Sequence, residues 1–450
     1  MPFLQPAFAK HLSFFLCAKY LCRKKIVLLS IVAVMMSAAL LVVVSSLFSG
    51  FIAAIETTVV DHSGNIVMTA RNVKIPRYDE LIAAIEKDPS IESATATLSG
   101  YGGLLYLNKG NVRAVEIVGI EMPKRADVMP FTEFLVVQSE NQTSASFAVR
   151  GSDRLGAFTG IGILAKPDEK TDQYDTAALK EKFVGKMVRL TTVRGDNQKT
   201  TSINLPIADI FFSGFHLKDN NTIYLPIETL AEKLFPDKKQ KIADNIQIKV
   251  AAATDPDQAV ETVRRIWKNF AFEQLNWSSY LVSDVRIATS SQNWAPMIKE
   301  YRKQMNMLII IFGIVSGGVV LLISCIFYLI VMTKQKDIAV AKSCGLGSSA
   351  VTMLFVSFGL LVGAVGSTLG IGLGYFVIRN INELERIITL TLGLKLWKSS
   401  TYMFTRIPSQ MNWQWGACIF VVAILAAGIG AFIPAIMAAR ITPVKILRYE

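Results

Sequence analysis

Apolar residues run in four long blocks along the chain, and between the first two blocks they alternate with polar ones. Ile26–Ile55, Met305–Thr333, Ser343–Ile378 and Ile407–Ala439 contain no Asp, Glu, Lys or Arg. Each exceeds the roughly 20 residues needed to cross about 30 Å of hydrocarbon as a helix. The pattern predicts an integral membrane α-helical protein with four transmembrane helices, at 26–55, 304–333, 348–378 and 411–439. A first block this close to residue 1 also raises a cleaved signal peptide, with small residues around Phe51-Ile52-Ala53-Ala54. Its apolar stretch is about twice the usual length of such a peptide, which favours an uncleaved anchor.

Residues 56–303 read as a large α+β domain. Asn65–Ala70 alternates like a strand, and Arg77–Lys87 places Leu81, Ile82 and Ile85 on one helical face before Asp88-Pro89. Ile91–Leu98, Gly103–Leu107 and Val112–Ile120 read as strands, with Asn108-Lys109-Gly110-Asn111 as a hairpin turn. A similar unit returns later: strand Asn245–Ala251, amphipathic helix Asp257–Phe270 and a strand around Tyr280–Val285. Two strand–helix–strand halves of this kind predict one mixed sheet with helices on one face. The stretch between them, about 132–243, reads as an inserted β-rich subdomain. Its expected strands are Ser146–Arg150, Met187–Val193, Ala208–Phe212 and Thr222–Leu225, closed by a short helix at Glu228–Phe235.

Charge bears on orientation more than on partners. The net +12 could point to nucleic acid, yet no basic stripe with interleaved aromatics occurs. Instead residues 1–25 hold Lys10, Lys19, Arg23, Lys24 and Lys25 without an acid, 334–347 hold three lysines against Asp337, and 440–450 hold Arg440, Lys445 and Arg448 against Glu450. These three segments share one side of a four-span chain, so the positive-inside rule makes them cytoplasmic. The 56–303 domain and the 379–410 loop are then extracytoplasmic, although that loop carries five basic residues, Arg379, Arg386 and Arg406 among them.

Candidate chemistry is sparse. Of the five cysteines, Cys17, Cys22, Cys325, Cys344 and Cys418, none lies between residues 23 and 324, so the exported domain can form no disulfide. The three histidines are His11, His62 and His216, and no HExxH pattern occurs. His216 beside Asp219 reads as a solvated turn in preference to a ligand pair. Gly185-Lys186 lacks the earlier glycine of a phosphate loop, and Met187 replaces its Ser or Thr. The chain therefore reads as no enzyme, with no cofactor of its own. Apolar blocks without ionisable residues also disfavour an ion-coupled carrier. They carry adaptable Met side chains such as Met35, Met36, Met305 and Met307.

Gly359, Gly363, Gly366, Gly370 and Gly374 fall close to one stripe of the third span, where backbones can approach. This predicts a helix-packing seam, within the subunit or between subunits. Directly after the second span, Lys336–Lys342 reads as a short segment along the inner surface, with Ile338 and Val340 available for packing and Gly345 and Gly347 breaking it.

The order of one span, a large exported domain and three further spans resembles the FtsX-like and MacB-like ABC permeases. Lys336-Asp337-Ile338-Ala339-Val340-Ala341-Lys342-Ser343-Cys344-Gly345 is similar to that family's coupling segment, and the ending Ile433–Glu450 is similar to its terminus, including Pro443, Leu447, Arg448 and Glu450. Within the family the lipoprotein-releasing LolC/LolE branch is the nearest resemblance. It rests on Asn382-Glu383-Leu384-Glu385, Tyr402, Ile407-Pro408-Ser409 before Trp413, and Ala208–Leu225. The first span lacks that branch's glycines, Gly347 stands where Ser is usual, and residues 286–300 match poorly.

The resemblance implies a permease of the inner membrane that pairs with a second permease subunit, identical or related, above a cytoplasmic ATPase dimer that holds the ATP and magnesium. It implies ATPase coupling at Lys336, Asp337, Ile338, Val340, Lys342 and Gly345. Lipoprotein would be extracted from the membrane and passed to a periplasmic carrier. An apolar shelter for acyl chains is expected between the first two spans, at Phe48, Phe51, Ile52, Met305, Leu308 and Phe312. Two alternatives share the architecture: a MacB-like exporter of drug, peptide or toxin, and an FtsX-like regulatory subunit acting on a cell-wall hydrolase or sensor.

Overall fold

Alternation along strands and an amphipathic stripe along helices place the α+β core where the sequence predicts it, and the joins between elements depart from the expectation. A computed structural model describes residues 25–108, 111–141, 145–149, 154–168, 171–194, 199–236, 241–393, 395–398, 404 and 406–444. The described chain forms two units, one of 53–298 with 385–407, the other of the remaining segments.

In the first unit the strands are β1 (Ile66–Ala70), β2 (Ile75–Pro76), β3 (Ile91–Ser99), β4 (Tyr101–Asn108), β5 (Asn111–Ile120), β6 (Ala157–Gly160), β7 (Met187–Val193), β8 (Thr200–Phe211), β9 (Thr222–Pro226), β10 (Ile242–Ala243), β11 (Asn245–Val250) and β12 (Val285–Thr289). Ten of them join in the order β12-β1-β11-β3-β5-β4-β7-β8-β6-β9, while β2 and β10 pair separately. The β12-β1-β11-β3 part is antiparallel throughout. Helices Tyr78–Ile85 and Pro256–Asn269 bury Leu81, Ile82, Ile85, Val263 and Trp267 in its core. Asp255 starts the second of these helices by accepting from the Asp257 amide, with Pro256 in the first turn, where a missing N–H costs nothing.

The strands of the β-rich stretch expected at about 132–243 continue the same sheet. Besides pairing with β3, β5 is long enough to serve two further partners: Asn111–Val115 pair with β4, and Glu116–Ile120 pair in parallel with β9. Since β4, β7, β8, β6 and β9 then follow one another, the pairings close into a ring of six strands that begins and ends on β5. An aromatic core of Phe131, Phe147, Phe158, Phe211 and Tyr224 accompanies it. Arg125 is buried there, 5.2 Å from the Phe131 ring and 5.5 Å from that of Tyr224. Its Nη1 donates to Gln247 Oε1 at 2.9 Å.

Two strand expectations need correction. Residues 146–149 form only an isolated bridge, Ala148 with Leu155, and Arg150 lies outside the described residues. Tyr280 falls in a short helix, Ser279–Ser283, and the strand begins at Val285. The Trp267 indole donates to Val282 O at 3.2 Å, holding that helical turn in place.

The second unit is helical. Its segments belong to four long helices, Lys25–Ser63, Ser290–Thr333, Ser348–Arg379 and Trp413–Ala439, each long and apolar enough to cross a membrane, the first two of which include residues 53–63 and 290–298 of the first unit. The first and second outrun their apolar blocks, the first by continuing to Ser63 and the second by starting at Ser290. The loop expected at 379–410 contains a further helix, Ile381–Leu392.

Close approach fixes how the four pack. A Cβ on Gly359 would lie 2.4 Å from Ala431 Cβ, and one on Gly363 2.8 Å from Ala427 Cβ, so these two glycines receive the fourth helix. Gly366, Gly370 and Gly374 instead receive the first helix, against Val34, Ala38 and Val42. The single stripe thus serves two neighbours, because its spacing of three or four residues drifts around a 3.6-residue helix. Gly430 of the fourth helix meets Val320 O and Ile323 of the second, and the Ser37 and Ser316 hydroxyls join first to second. The seams run first–third–fourth–second–first.

Candidate functional site

Three long helices converge on a short one. Helix Gln335–Ser343 follows the second long helix after a break at Lys334, where the Lys334 ammonium donates to Asp337. It shows two faces. Ile338 and Ala339 are buried, Ile338 in the cluster that contains Phe327, Val351, Phe355, Ala435 and Ala438. Lys336, Asp337 and Val340 point outward, Val340 being 51% exposed. Of the two apolar residues expected to pack, Ile338 therefore does so and Val340 does not, since residues two apart lie on opposite sides of a helix.

Lys342 is directed inward. Its Nζ donates to Ala439 O at 2.7 Å and to Ile441 O at 2.9 Å, at the end of the fourth long helix. Gly345 follows at φ +97°, a left-handed conformation that suits glycine, and Gly347 caps the third long helix at φ −67°. Beside this turn lies a cavity of about 230 Å³, lined by Ile330, Lys334, Ile338, Leu346, Val351 and Phe355 among others. Pro443 is half-buried next to Ile441 and Thr442. Leu447, Arg448 and Glu450 lie outside the described residues, as do Lys445, Tyr402, His11, Cys17 and Cys22.

The residues expected to shelter acyl chains are half-buried or buried on the first and second long helices. Met305, Leu308 and Phe312 are half-buried with Tyr301 and Ser316 on one side of the second long helix, while Met307, Ile310, Ile311 and Ile314 are exposed on the other. Phe48 and Phe51 are half-buried on the first helix and Ile52 is buried. The Phe51 and Tyr301 rings meet edge-on, centroids 4.9 Å apart. Gly50 makes a close approach here that no sequence pattern announces. A Cβ on Gly50 would lie 2.7 Å from Ser409 Cα, so the Pro408-Ser409-Gln410 segment crosses the first helix at that glycine. A lone Gly beside Ser49 within an apolar block gave no periodic signal for it.

His216 and Asp219 are no solvated pair. Asp219 is buried, accepting from the Ser213 amide and hydroxyl, both at 2.8 Å. Burial pushes its carboxyl up to about 7. His216 lies 2.6 Å from Asn220 Nδ2 through Nε2, and burial lowers its pKa. Phe215, which follows the Ser213-Gly214 turn, meets His62 and Phe404 at a tilt and Trp294 edge-on. Within the Ala208–Leu225 segment, these contacts make a structural knot.

Four apolar helices, with an α+β domain between the first and second, define a polytopic membrane protein. A profile described as the MacB-like periplasmic core domain matches residues 27–266, and one described as FtsX-like permease C-terminal matches 307–443. The chain belongs to this family of MacB-like and FtsX-like permeases. It is 30% identical over 171 residues to the lipoprotein-releasing system transmembrane protein LolC of Xylella fastidiosa, which is 38% of this chain and 40% of that one. The alignment thus spans two fifths of that relative's length. Against LolE of Haemophilus influenzae the identity is 22% over 398 residues, covering 86% of this chain and 85% of the relative. A solved domain of a permease protein from Porphyromonas gingivalis aligns with TM-score 0.29 and 13% identity, covering 51% of this chain and 90% of that one, too slight a likeness to argue from.

Proposed function

We propose that the chain is the permease subunit of an ABC transporter that draws lipoproteins out of the inner membrane and hands them to a periplasmic carrier. In this reading the N- and C-terminal ends are cytoplasmic and the α+β domain is periplasmic. A cytoplasmic ATPase dimer, which holds ATP and magnesium, presses on the outward face at Lys336, Asp337 and Val340. A second permease, identical or related, completes the membrane part. The observation that carries the reading is the short helix Gln335–Ser343, seated on the ends of the spans with an apolar inner face and a charged outer one. Its support in kinship is the likeness to LolC and LolE.

Work is needed because each methylene drawn from lipid into water costs about 0.8 kcal/mol. The half-buried stripe of Phe48, Phe51, Met305, Leu308 and Phe312 is the proposed apolar shelter along the way. Affinity purification from native membranes in mild detergent, with mass spectrometry of what is retained, tests the reading. A small ATPase with acylated lipoproteins supports it; an ATPase with an outer-membrane channel, or with a cell-wall hydrolase, sinks it. Export of a drug, peptide or toxin is the second reading, favoured by the MacB-like match over 27–266.

A further inference from the structure

The last carbonyls of an α-helix lack partners within it and carry partial negative charge. At the end of the fourth long helix one of them, on Ala439, and the Ile441 carbonyl just past the helix accept from one ammonium, that of Lys342. Charge-assisted bonds of 2.7 and 2.9 Å are short and directional. One turn earlier on the same face, Ile338 is buried in a cluster with Ala435 and Ala438 of the fourth helix. The short helix is therefore held to the fourth helix at two points, one apolar and one ionic, which together restrict both sliding and rotation.

Its covalent link to the third helix is of another kind. That link runs through Gly345 at φ +97° and through Gly347; a Cβ on the first would meet nothing within 4 Å, and one on the second only Ser349 Oγ at 3.9 Å. Glycines in open space can take up a change of backbone angle at little steric cost.

We infer that Lys342 is a positioning residue that makes the short helix and the end of the fourth long helix move as one body. A push on the outward face then reaches the fourth helix directly, while the glycine turn absorbs the displacement relative to the third. The direction of the push rests on the proposed ATPase coupling; the attachment itself does not.

The attachment is tested on the full chain in lipid nanodiscs, with no ATPase present. Spin labels are placed at Val340→Cys and Val444→Cys, with Cys17, Cys22, Cys325, Cys344 and Cys418 changed to Ser, and the distance distribution is read by pulsed EPR. The expected result is a narrow distribution for Lys342 and Lys342→Arg, broadened at least two-fold in Lys342→Met. An unchanged width in Lys342→Met overturns the inference. Should Lys342→Met not accumulate, Lys342→Gln, whose shorter stem cannot span both carbonyls, is read by the same criterion. In the assembled transporter, lipoprotein released per ATP hydrolysed should fall at least ten-fold in the Met variant, with Arg restoring at least half. Equal coupling in wild type and Met overturns the transmission role. A wild-type complex that releases no lipoprotein sinks the functional reading and leaves the EPR result to decide the attachment.

Discussion

The hydroxyl of Ser37 on the first long helix lies 2.8 Å from that of Ser316 on the second, among otherwise apolar side chains. Within hydrocarbon neither group has water to turn to, so the bond holds these two helices in register. Polar contacts between membrane helices contribute modestly, about 0.6 kcal/mol on average, because the unfolded helices also find partners. A double-mutant cycle of Ser37→Ala and Ser316→Ala should return a coupling of about 0.5–1 kcal/mol in detergent unfolding. Strictly additive effects would show that the pair is not joined in the membrane.

Gly370→Val should destabilise the helical unit by roughly 1–3 kcal/mol through overpacking, since even a Cβ there meets Met35 O at 2.6 Å. Gly372→Ala, two residues along with nothing within 4 Å, should lie within about 0.5 kcal/mol of wild type. Equal thermal shifts for the two would contradict the seam between first and third helices.

Phe312→Glu places a charge on the half-buried stripe of the second long helix. The expected outcome is loss of lipoprotein release with the complex still assembled, measured by release from spheroplasts and by co-purification of the ATPase. Normal release with the charge in place would remove this stripe from the proposed path.

Burial raises the Asp219 carboxyl from 3.8 to about 7, against the pull of Ser213 and Gly214, whose hydrogen bonds favour the charged form. A group that binds its proton more tightly folded than unfolded makes stability fall as pH rises between those two values, and leaves it level above. Asp219→Asn should therefore flatten the loss of stability between pH 5 and pH 8, by on the order of 2 kcal/mol. Melting followed by tryptophan fluorescence at the two pH values checks this. A slope that is the same in both proteins would place the titration elsewhere.

Arg125 is buried against Phe131 and Tyr224, and its Nε has no hydrogen-bond partner. An apolar side chain of similar length avoids desolvating a charge, so Arg125→Met should stay within about 1 kcal/mol of wild type. Arg125→Ala, which leaves a void beside two rings, should cost about 2–4 kcal/mol. Chemical unfolding of the two variants separates these outcomes, and a Met variant as unstable as the Ala variant would show that the charge itself is needed.

Four membrane spans were legible because crossing hydrocarbon demands a long uncharged apolar segment, and the amphipathic helix at Pro256–Asn269 because its apolar positions recur every three or four residues. The expectation failed where local pattern and packing compete. Tyr280-Leu281-Val282 has the composition of a strand, yet the Trp267 indole holds it as a helical turn. The ring of strands was hidden for a related reason: alternation tells which residues share a face, and nothing about which strand lies alongside.

The sequence by itself determined the spans, the α+β character of the long intervening segment and the location of the short segment after the second span, since each follows from residue spacing along one stretch of chain. Tertiary structure decided which way the key side chains of that short helix turn. Lys336 and Lys342 look alike in a motif, but Lys336 is exposed while Lys342 reaches carbonyls 97 and 99 residues away. It likewise assigned Gly359 and Gly363 to one neighbour and Gly366, Gly370 and Gly374 to another. Such contacts depend on distances between segments remote in sequence, and a one-dimensional pattern holds no record of them.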